Sequence, residues 1–398
     1  MNALPINPQL IEQSFFWVTF IGCVLLYLSY AGSDDCNKLL NKRSPIPALL
    51  MTCVWIVLIG LRPIWGGFGD TVNYAHGYNK TLPIYGAIDL RGEWLFSVFS
   101  VWCRSMRFTV HMFFLLIEIG YLGFMYWAYR KALWENVWLA MLFALSAFSV
   151  FTYSVNGLRN GLACSMVTLA VVFASKDRNF IGAGVLCFLA MGIHKSTVLP
   201  IAALVAATFF IKNLKTALLI WVASFFVSLW AGGTISSIFI GLGFDDRADT
   251  YLSGEHFKYN TFSNTGFRWD FLLYSVMPVW LVWHIQRKIE RRHQEIGGLT
   301  QEETDSGVYG AGIMADAVSM RVFNTIAIVY LISNAFWIMV IRAAFSNRFA
   351  YLSWFIYPLV LAYAVIRLHI WEDQDRKAAI ILLAHSGFTM FMYLIGKL

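Results

Sequence analysis

The chain has 398 residues, of which 59% are hydrophobic and 13% charged, and it carries a formal net charge of +7. Soluble domains contain about twice this charged fraction, so a soluble fold is excluded. Runs of about 20 apolar residues recur along the chain, and each is long enough to cross a hydrocarbon core of about 30 Å. The composition therefore predicts an all-α polytopic integral membrane protein, since helices satisfy their own backbone groups in lipid. The positive charge suits an anionic bilayer surface and requires no nucleic-acid partner.

About twelve transmembrane helices are predicted in chain order from the apolar runs. They cover residues 12–31, 47–62, 108–129, 134–152, 157–175, 180–193, 197–212, 214–232, 269–286, 321–341, 349–368 and 378–395. Three of them are short, which leaves tilt, re-entrance or a different division of the chain open there. The apolar stretch 93–103 is too short to span the bilayer, and we predict a short helix that lies at the outer surface or dips into it.

Lysines and arginines in the short loops orient the chain. Alternate short loops collect the larger share of the 30 basic residues on one face, which we place in the cytoplasm with both termini outside. Residues 1–398 then form a single membrane domain with two outer loops, 63–107 and 233–268, and one cytoplasmic loop, 287–320. The first apolar run lacks the positive segment of a cleavable signal. The six cysteines are scattered, which favours packing over a disulfide framework or a metal site.

Several cations lie at the outer ends of the predicted spans. Snorkelling to lipid headgroups explains any single one of them. A group at one membrane depth instead favours a ligand path, because charges at the membrane edge usually face a cavity. The group comprises Arg62, Arg159, Lys195, Arg342 and Arg348.

Arg159 begins a predicted span within a stripe of small residues, Gly157, Gly161 and Ser165, which permits close approach of another helix. Arg159 lies about 200° around the helix from both glycines, given 3.6 residues per turn. The arginine therefore faces away from the packed stripe, toward lipid or toward an internal cavity. The cost of a charge in lipid favours the cavity.

Three residues on the outer side are candidate bases, and each has an ordinary alternative. His194 lies in the turn of "GIHKSTVLP", where a histidine is more often only solvated and where Ser196 is predicted to cap the next helix. Asp70 ends "GGFGD" and is most simply the salt-bridge partner of an arginine. Glu93 opens the short surface helix, where the helix dipole stabilises a carboxylate. Glu118 is the one acid deep in a span, and it is predicted to pair internally with a partner that the sequence does not identify.

Five segments resemble, in their order and spacing, the EpsG/Wzy-type family of polysaccharide polymerases. They are "LRPIWGGFGDTVNY", "GEWLFSVF", "NGLRNGLACSMVTLA", "KDRNFIGAGVLCFLAMGIHKSTVLP" and "NRFAYLSWFIYP". The resemblance covers most of the chain. It departs from the family in "GGFGD", where a more hydroxyl-rich turn is expected, and in the long cytoplasmic loop.

The resemblance implies a GT-C-like polymerase bundle in the bacterial inner membrane, with its active site facing the periplasm. A growing glycan on undecaprenyl pyrophosphate would move en bloc to a repeat unit on the same lipid, and undecaprenyl pyrophosphate would leave. The product would be the O-antigen of lipopolysaccharide, a capsule or an exopolysaccharide. The enzyme would be a metal-independent glycosyltransferase that needs no cofactor, and a chain-length regulator protein would be a partner.

Residue roles follow from the same resemblance. Preorganised cations would bind the pyrophosphate and stabilise the charge that grows on it as it leaves; these are Arg62, Arg159, Lys195, Arg342 and Arg348. The acceptor hydroxyl needs a base, and we favour His194 over Asp70 and Glu93 because a histidine is partly neutral at working pH. Held protonated by phosphate, His194 would instead stabilise the leaving group. Sugar stacking is assigned to aromatic residues that are equally typical of membrane anchors: Tyr74, Tyr251, Tyr259 and Trp269.

Other classes of membrane protein share parts of this pattern. An O-antigen ligase would use the same donor with lipid A core as acceptor, but its outer loop is usually longer and more basic than 233–268. A non-enzymatic flippase of lipid-linked oligosaccharides would distribute charges along its spans, whereas here they gather at one interface. A membrane acyltransferase ranks third, because its acyl donor should come from the cytoplasmic side.

Overall fold

The computed structural model describes residues 2–31, 44–84, 92–241, 267–295, 308–309, 313–314, 316–342 and 346–396. Regular structure in this part of the chain is helical, as predicted, except for one antiparallel pair of two-residue strands, β1 (Val308–Tyr309) and β2 (Ile313–Met314). The strand pair lies within the predicted cytoplasmic loop 287–320.

The helices follow one another in the order of the predicted apolar segments. Their bounds are α1 Pro8–Ala31, α2 Ile46–Gly60, α3 Thr71–Lys80, α4 Trp94–Ser105, α5 Val110–Ala132, α6 Val137–Leu145, α7 Phe148–Val155, α8 Leu158–Val172, α9 Phe180–Ile193, α10 Val198–Val205, α11 Leu214–Gly241, α12 Trp269–Glu295, α13 Ala317–Met339, α14 Ser346–Trp354, α15 Tyr357–Arg367 and α16 Gln374–Leu394. Single π-helical turns extend α8 and α10, over Phe173–Asp177 and Ala206–Phe210.

The count of twelve transmembrane helices is not confirmed. Each of the twelve predicted segments contains helix. Among the described residues, however, only six helices are long and apolar enough to cross a membrane, or seven if the bent pair of α6 and α7 forms one span. Helices α2, α9, α10 with its flanking turns, and α11 contribute shorter apolar stretches of 10–17 residues.

The predicted span 134–152 is broken rather than straight. Its two halves meet at 73°, because Ala147 adopts an extended conformation between α6 and α7. The break leaves the carbonyl of Phe143 without its helical partner, and that oxygen accepts hydrogen bonds from Ser146 Oγ at 3.3 Å and from His385 Nε2 at 3.1 Å. Neighbouring side chains thus satisfy the backbone that the break exposes, as a membrane interior requires.

The described part of the predicted outer loop 63–107 contains the α-helices α3 and α4, of which the sequence indicated only α4. Helix α3 is polar, and tertiary contacts of Tyr78 fix it. The Tyr78 hydroxyl donates to the Phe108 carbonyl at 2.9 Å, and its ring stacks on Phe113 with centroids 4.3 Å apart. Burial raises the pKa of Tyr78 to about 12, so the hydroxyl keeps its proton for this bond.

The other two predicted loops are shorter than expected where the structure describes them. In 233–268, α11 continues to Gly241, and residues 242–266 lie outside the described part of the chain. In 287–320, α12 continues to Glu295 and α13 already begins at Ala317, capped by the side chain of Asp316. Helix α10 begins after Thr197, so the prediction that Ser196 caps it is wrong.

The described chain divides into two compact units. The first unit is Met1–His194 with Leu361–Leu398, and the second unit is Lys195–Val360. In the first unit, α5 packs against α2 and α8, α8 packs against α9, and α1 packs against α16. The single membrane domain predicted for residues 1–398 stays a prediction.

The small-residue stripe at the start of α8 packs against α7, as its spacing predicted. A Cβ atom at Gly161 would lie 2.8 Å from the Cβ atom of Tyr153, and one at Gly157 would lie 3.0 Å from the Tyr153 ring. The two glycines therefore permit the close approach of α7 and α8, and they leave Arg159 on another side of the helix.

A polar network crosses the core of the second unit. Asn334 of α13 is fully buried, donates to Ser275 Oγ at 3.1 Å and Ser353 Oγ at 2.9 Å, and accepts from Trp221 Nε1 at 2.8 Å. Trp354 Nε1 donates to the same Ser275 hydroxyl at 2.9 Å. Hydrogen bonds of this kind tie helices together where lipid offers no hydrophobic driving force between them.

Candidate functional site

Glu93, Arg159 and His194 meet in the first unit; we call these three residues the Glu93 trio. Glu93 directly precedes α4, Arg159 is the second residue of α8, and His194 follows the last residue of α9. The Glu93 carboxylate contacts both partners, Arg159 Nη1 through Oε2 and His194 Nδ1 through Oε1. Side-chain exposures of 17% for Glu93, 31% for Arg159 and 22% for His194 leave the group accessible to a ligand.

The role of Glu93 differs from the helix-dipole interpretation of its position. Glu93 occupies the N-cap of α4, but its side chain makes no capping hydrogen bond. Its two oxygens instead serve a guanidinium and an imidazole, and hydrogen bonds to charged groups are about twice as strong as neutral ones. The carboxylate therefore holds together two residues that the sequence could only place on the same side of the membrane.

Arg159 lies over two neighbouring aromatic rings. Its guanidinium carbon is 5.6 Å from the ring centroid of Tyr74 on α3 and 5.6 Å from that of Phe96 on α4. The two rings are themselves 6.5 Å apart in an edge-to-face arrangement. Together with Glu93 they restrict the orientation of the guanidinium before any ligand arrives. Tyr74, predicted to contact sugar, is therefore next to the trio.

Gly192 brings α9 close to α4 beside the trio. A Cβ atom at Gly192 would lie 2.8 Å from Trp94 Cε2 and 3.0 Å from the Cβ atom of Leu95. Gly192 is two residues before His194, and Trp94 directly follows Glu93. A glycine at this position therefore sets how closely the histidine and the carboxylate can meet.

Asp70 lies one helical turn from Tyr74, at the start of α3. Its Oδ1 accepts a hydrogen bond from Asn73 Nδ2 at 3.0 Å, and its backbone N–H donates to Asn156 Oδ1 at 2.9 Å. The preceding Gly69 has a φ of +61° and lies against the same Asn156 side chain, so a Cβ atom there would be 2.5 Å from Asn156 Oδ1. Glu93 forms an ion pair with Arg159.

Arg62 is fully buried in the first unit. Its Nη1 donates to the Ile59 carbonyl at 2.9 Å, its Nη2 donates to Thr71 Oγ1 at 3.2 Å, and its guanidinium lies 4.7 Å from the ring centroid of Phe114. Its charged group thus contacts protein oxygens and a ring. It is closed to solvent, whereas the side chain of Arg159 is part-exposed. The deep acid, Glu118, accepts a hydrogen bond at Oε1 from the Ser154 hydroxyl at 2.7 Å, and it also interacts electrostatically with Arg62.

The remaining predicted cations belong to the second unit. Lys195 is exposed at the start of a 3₁₀ turn, Arg342 is exposed with its guanidinium 5.9 Å from the Phe267 ring centroid, and Arg348 is half-buried in α14. Trp269, the first residue of α12, is 65% exposed. Two further predicted sugar-binding residues, Tyr251 and Tyr259, lie outside the described residues.

Within the described ranges, no three His, Cys, Asp or Glu side chains form a group that could hold a metal ion. The Glu93 trio contains one carboxylate, one imidazole and one guanidinium. Such a set can bind an anion and transfer a proton.

Comparison with known proteins gives one family. A family model described as the EpsG family matches residues 46–397, which include α2 to α16 and every member of the trio. No curated protein and no solved structure gives a significant match.

Proposed function

Since the chain belongs to the EpsG family and is a membrane protein of the polysaccharide-polymerase type, we propose that it joins oligosaccharide repeat units carried on undecaprenyl pyrophosphate. The growing glycan moves en bloc to the acceptor repeat unit, and undecaprenyl pyrophosphate leaves. The reaction takes place at the periplasmic face of the bacterial inner membrane and yields O-antigen, capsule or exopolysaccharide. It needs neither metal nor cofactor, and a chain-length regulator acts as partner.

The Glu93 trio is the observation that carries this proposal. An ionised carboxylate beside His194 Nδ1 keeps the ring hydrogen on Nδ1, because a carboxylate oxygen only accepts hydrogen bonds. The lone pair is then on Nε2, the nitrogen that can take a proton from substrate. In this arrangement His194 is the base and Glu93 is a positioning residue, as the acid is in a serine protease triad.

The transfer step follows from these roles. The acceptor hydroxyl gives its proton to His194 Nε2, and its oxygen forms a bond to the anomeric carbon of the donor glycan. The bond from that carbon to the pyrophosphate oxygen breaks, and the electron pair leaves with the pyrophosphate. Arg159 stabilises this charge, and its five N–H donors allow contact with Glu93 and with a phosphate oxygen at the same time.

Other predicted residues keep their proposed roles in this scheme. Lys195, Arg342 and Arg348 are the further cations for pyrophosphate, and Tyr74, Tyr251, Tyr259 and Trp269 are the aromatic contacts for sugar. Asp70 remains the alternative base. The burial of Arg62 among protein acceptors favours a structural role over direct contact with pyrophosphate.

The surface glycan of a deletion strain tests the function. We expect single repeat units on the lipid in place of long chains, with restoration by the wild-type gene and not by Glu93→Gln. A ligase would leave long chains on undecaprenyl pyrophosphate with none transferred to lipid A core, and a flippase would leave repeat units at the cytoplasmic face. Either of these patterns contradicts a polymerase.

The orientation of the chain is tested with cysteine substitutions at two exposed lysines. Lys80→Cys, at the end of α3, should react with a membrane-impermeant thiol reagent added to intact spheroplasts. Lys212→Cys, before α11, should react only after the membrane is opened. The unsubstituted protein, with its six cysteines, gives the background. The reverse labelling pattern would place the Glu93 trio in the cytoplasm and exclude transfer at the periplasmic face.

A further inference from the structure

We propose that Arg62, Thr71 and Asn156 are positioning residues that fix the corner between α7 and α8, and through that corner the place of Arg159. We call these three residues the corner relay. The inference rests on the proposed function, because it assigns the relay to the arginine that stabilises the leaving group. It also gives a role to Arg62, whose burial neither snorkelling nor pyrophosphate binding explains.

The relay runs from the end of α2 to the end of α7. Arg62 Nη2 donates to Thr71 Oγ1 at 3.2 Å, and the Thr71 hydroxyl donates its own hydrogen to the Val155 carbonyl at 2.5 Å. Val155 is the last residue of α7, where the carbonyls lack helical partners. The adjacent Asn156 accepts the backbone N–H of Asp70 at 2.9 Å. Thus the segment after α2 holds the α7–α8 corner by two separate bonds.

A third bond reaches the same corner from α5. Ser154 Oγ donates to Glu118 Oε1 at 2.7 Å, so Ser154, Val155 and Asn156 each have a hydrogen bond to a distant part of the chain. Only Gly157 and Leu158 separate these residues from Arg159. Few rotatable bonds therefore lie between the anchored corner and the backbone of Arg159, whose guanidinium Glu93 then holds.

Burial makes these bonds strong and their loss costly. Arg62, Thr71, Glu118 and Ser154 are all fully buried. In such surroundings a polar group left without a partner is strongly destabilising, so the corner would shift to find one. A misplacement of about 1 Å in a catalytic group can lower a rate by about 10²-fold. A change at Thr71 should thus reach catalysis although Thr71 is not part of the trio.

The test combines Thr71→Val with a change at Arg159. Thr71→Val keeps the shape of the side chain and removes both hydrogen bonds of the Thr71 hydroxyl, to Arg62 and to Val155. We expect it to lower kcat about tenfold on defined lipid-linked repeat units. Thr71→Ser, which keeps the hydroxyl, should restore most of the rate. The matched control is Thr52→Val in α2, another buried threonine, whose hydroxyl bonds to Ala48 in its own helix at 2.7 Å; it should leave kcat unchanged.

The decisive measurement is the effect of Thr71→Val in an Arg159→Lys background. If the relay acts through Arg159, the second change adds less than twofold there. A full tenfold effect in both backgrounds overturns the proposal, as does an equal loss in Thr52→Val. Should Thr71→Val fail to fold, Asn156→Ala replaces it in the same cycle with the same expected outcomes. Wild-type kcat in Arg159→Lys itself would count against the proposed function rather than against the relay alone.

Discussion

Replacing His194 with glutamine is expected to lower the rate of polymerisation by about 10²–10⁴-fold, the usual contribution of a general base. Glutamine keeps hydrogen-bonding capacity near Glu93 but cannot take a proton, so donor binding should change little. The rate is measured with purified enzyme and defined lipid-linked repeat units. His76→Gln is the matched control, because His76 is an exposed histidine on α3 of the same unit, and it should retain the wild-type rate.

The pH dependence of the rate separates the two roles open to His194. As a base it must be neutral, so the wild-type rate should rise with pH and level off once the imidazole has lost its proton. As a protonated clamp on pyrophosphate it would give a rate that falls over the same range, and His194→Lys would retain part of the activity. A His194→Gln enzyme with the wild-type rate at every pH would exclude both roles and leave Asp70 or Glu93 to be tested as the base.

Arg159→Lys should fail to rescue the loss caused by Arg159→Ala. We expect both variants to be slower by about 10²–10³-fold, the effect of removing one preorganised donor to a developing oxyanion. Lysine supplies a charge, but it lacks the planar fork that serves Glu93 and a phosphate oxygen together, and it cannot lie over the Tyr74 and Phe96 rings in the same way.

The length distribution of the polymer in cells, at matched protein levels, reports this difference alongside the purified rate. Arg130→Lys is the control, since Arg130 also lies over an aromatic ring, that of Trp134 at 4.4 Å, but at the far end of α5. Its chains should be of normal length. Near-normal chains from Arg159→Lys would mean that a positive charge at this position is sufficient and that the planar fork is not required.

Apolar runs in the sequence predicted where helices occur in the described chain, but not how many of these helices are long enough to cross a membrane. They predicted neither the break in 134–152 nor helix α3. No proline or glycine marks the bend at Ser146 and Ala147. Helix α3 has a polar sequence that Tyr78 holds in place through contacts with Phe108 and with Phe113 of α5. Both features depend on neighbours that are distant in sequence.

For the candidate site, charges at helix ends directed attention to Arg159 and His194, and Glu93 was already a candidate base. The sequence could not show that one carboxylate joins them, because Glu93 is 66 residues from Arg159 and 101 residues from His194. For the same reason Arg62 looked equivalent to Arg159. Only the packing of Thr71 and Phe114 around it shows that its guanidinium is enclosed by protein.

Ribosomes complete the two parts of the first unit at different times. The Glu93 trio is complete once His194 has been added to the chain. Helix α16, which packs against α1, begins only at Gln374. At about 5–20 residues per second, roughly ten to forty seconds of translation separate the two. Throughout that interval the face of α1 that α16 covers in the folded unit lacks this partner. A premature stop codon between residues 195 and 373 would therefore leave every member of the trio encoded and the unit that holds it without its closing helix.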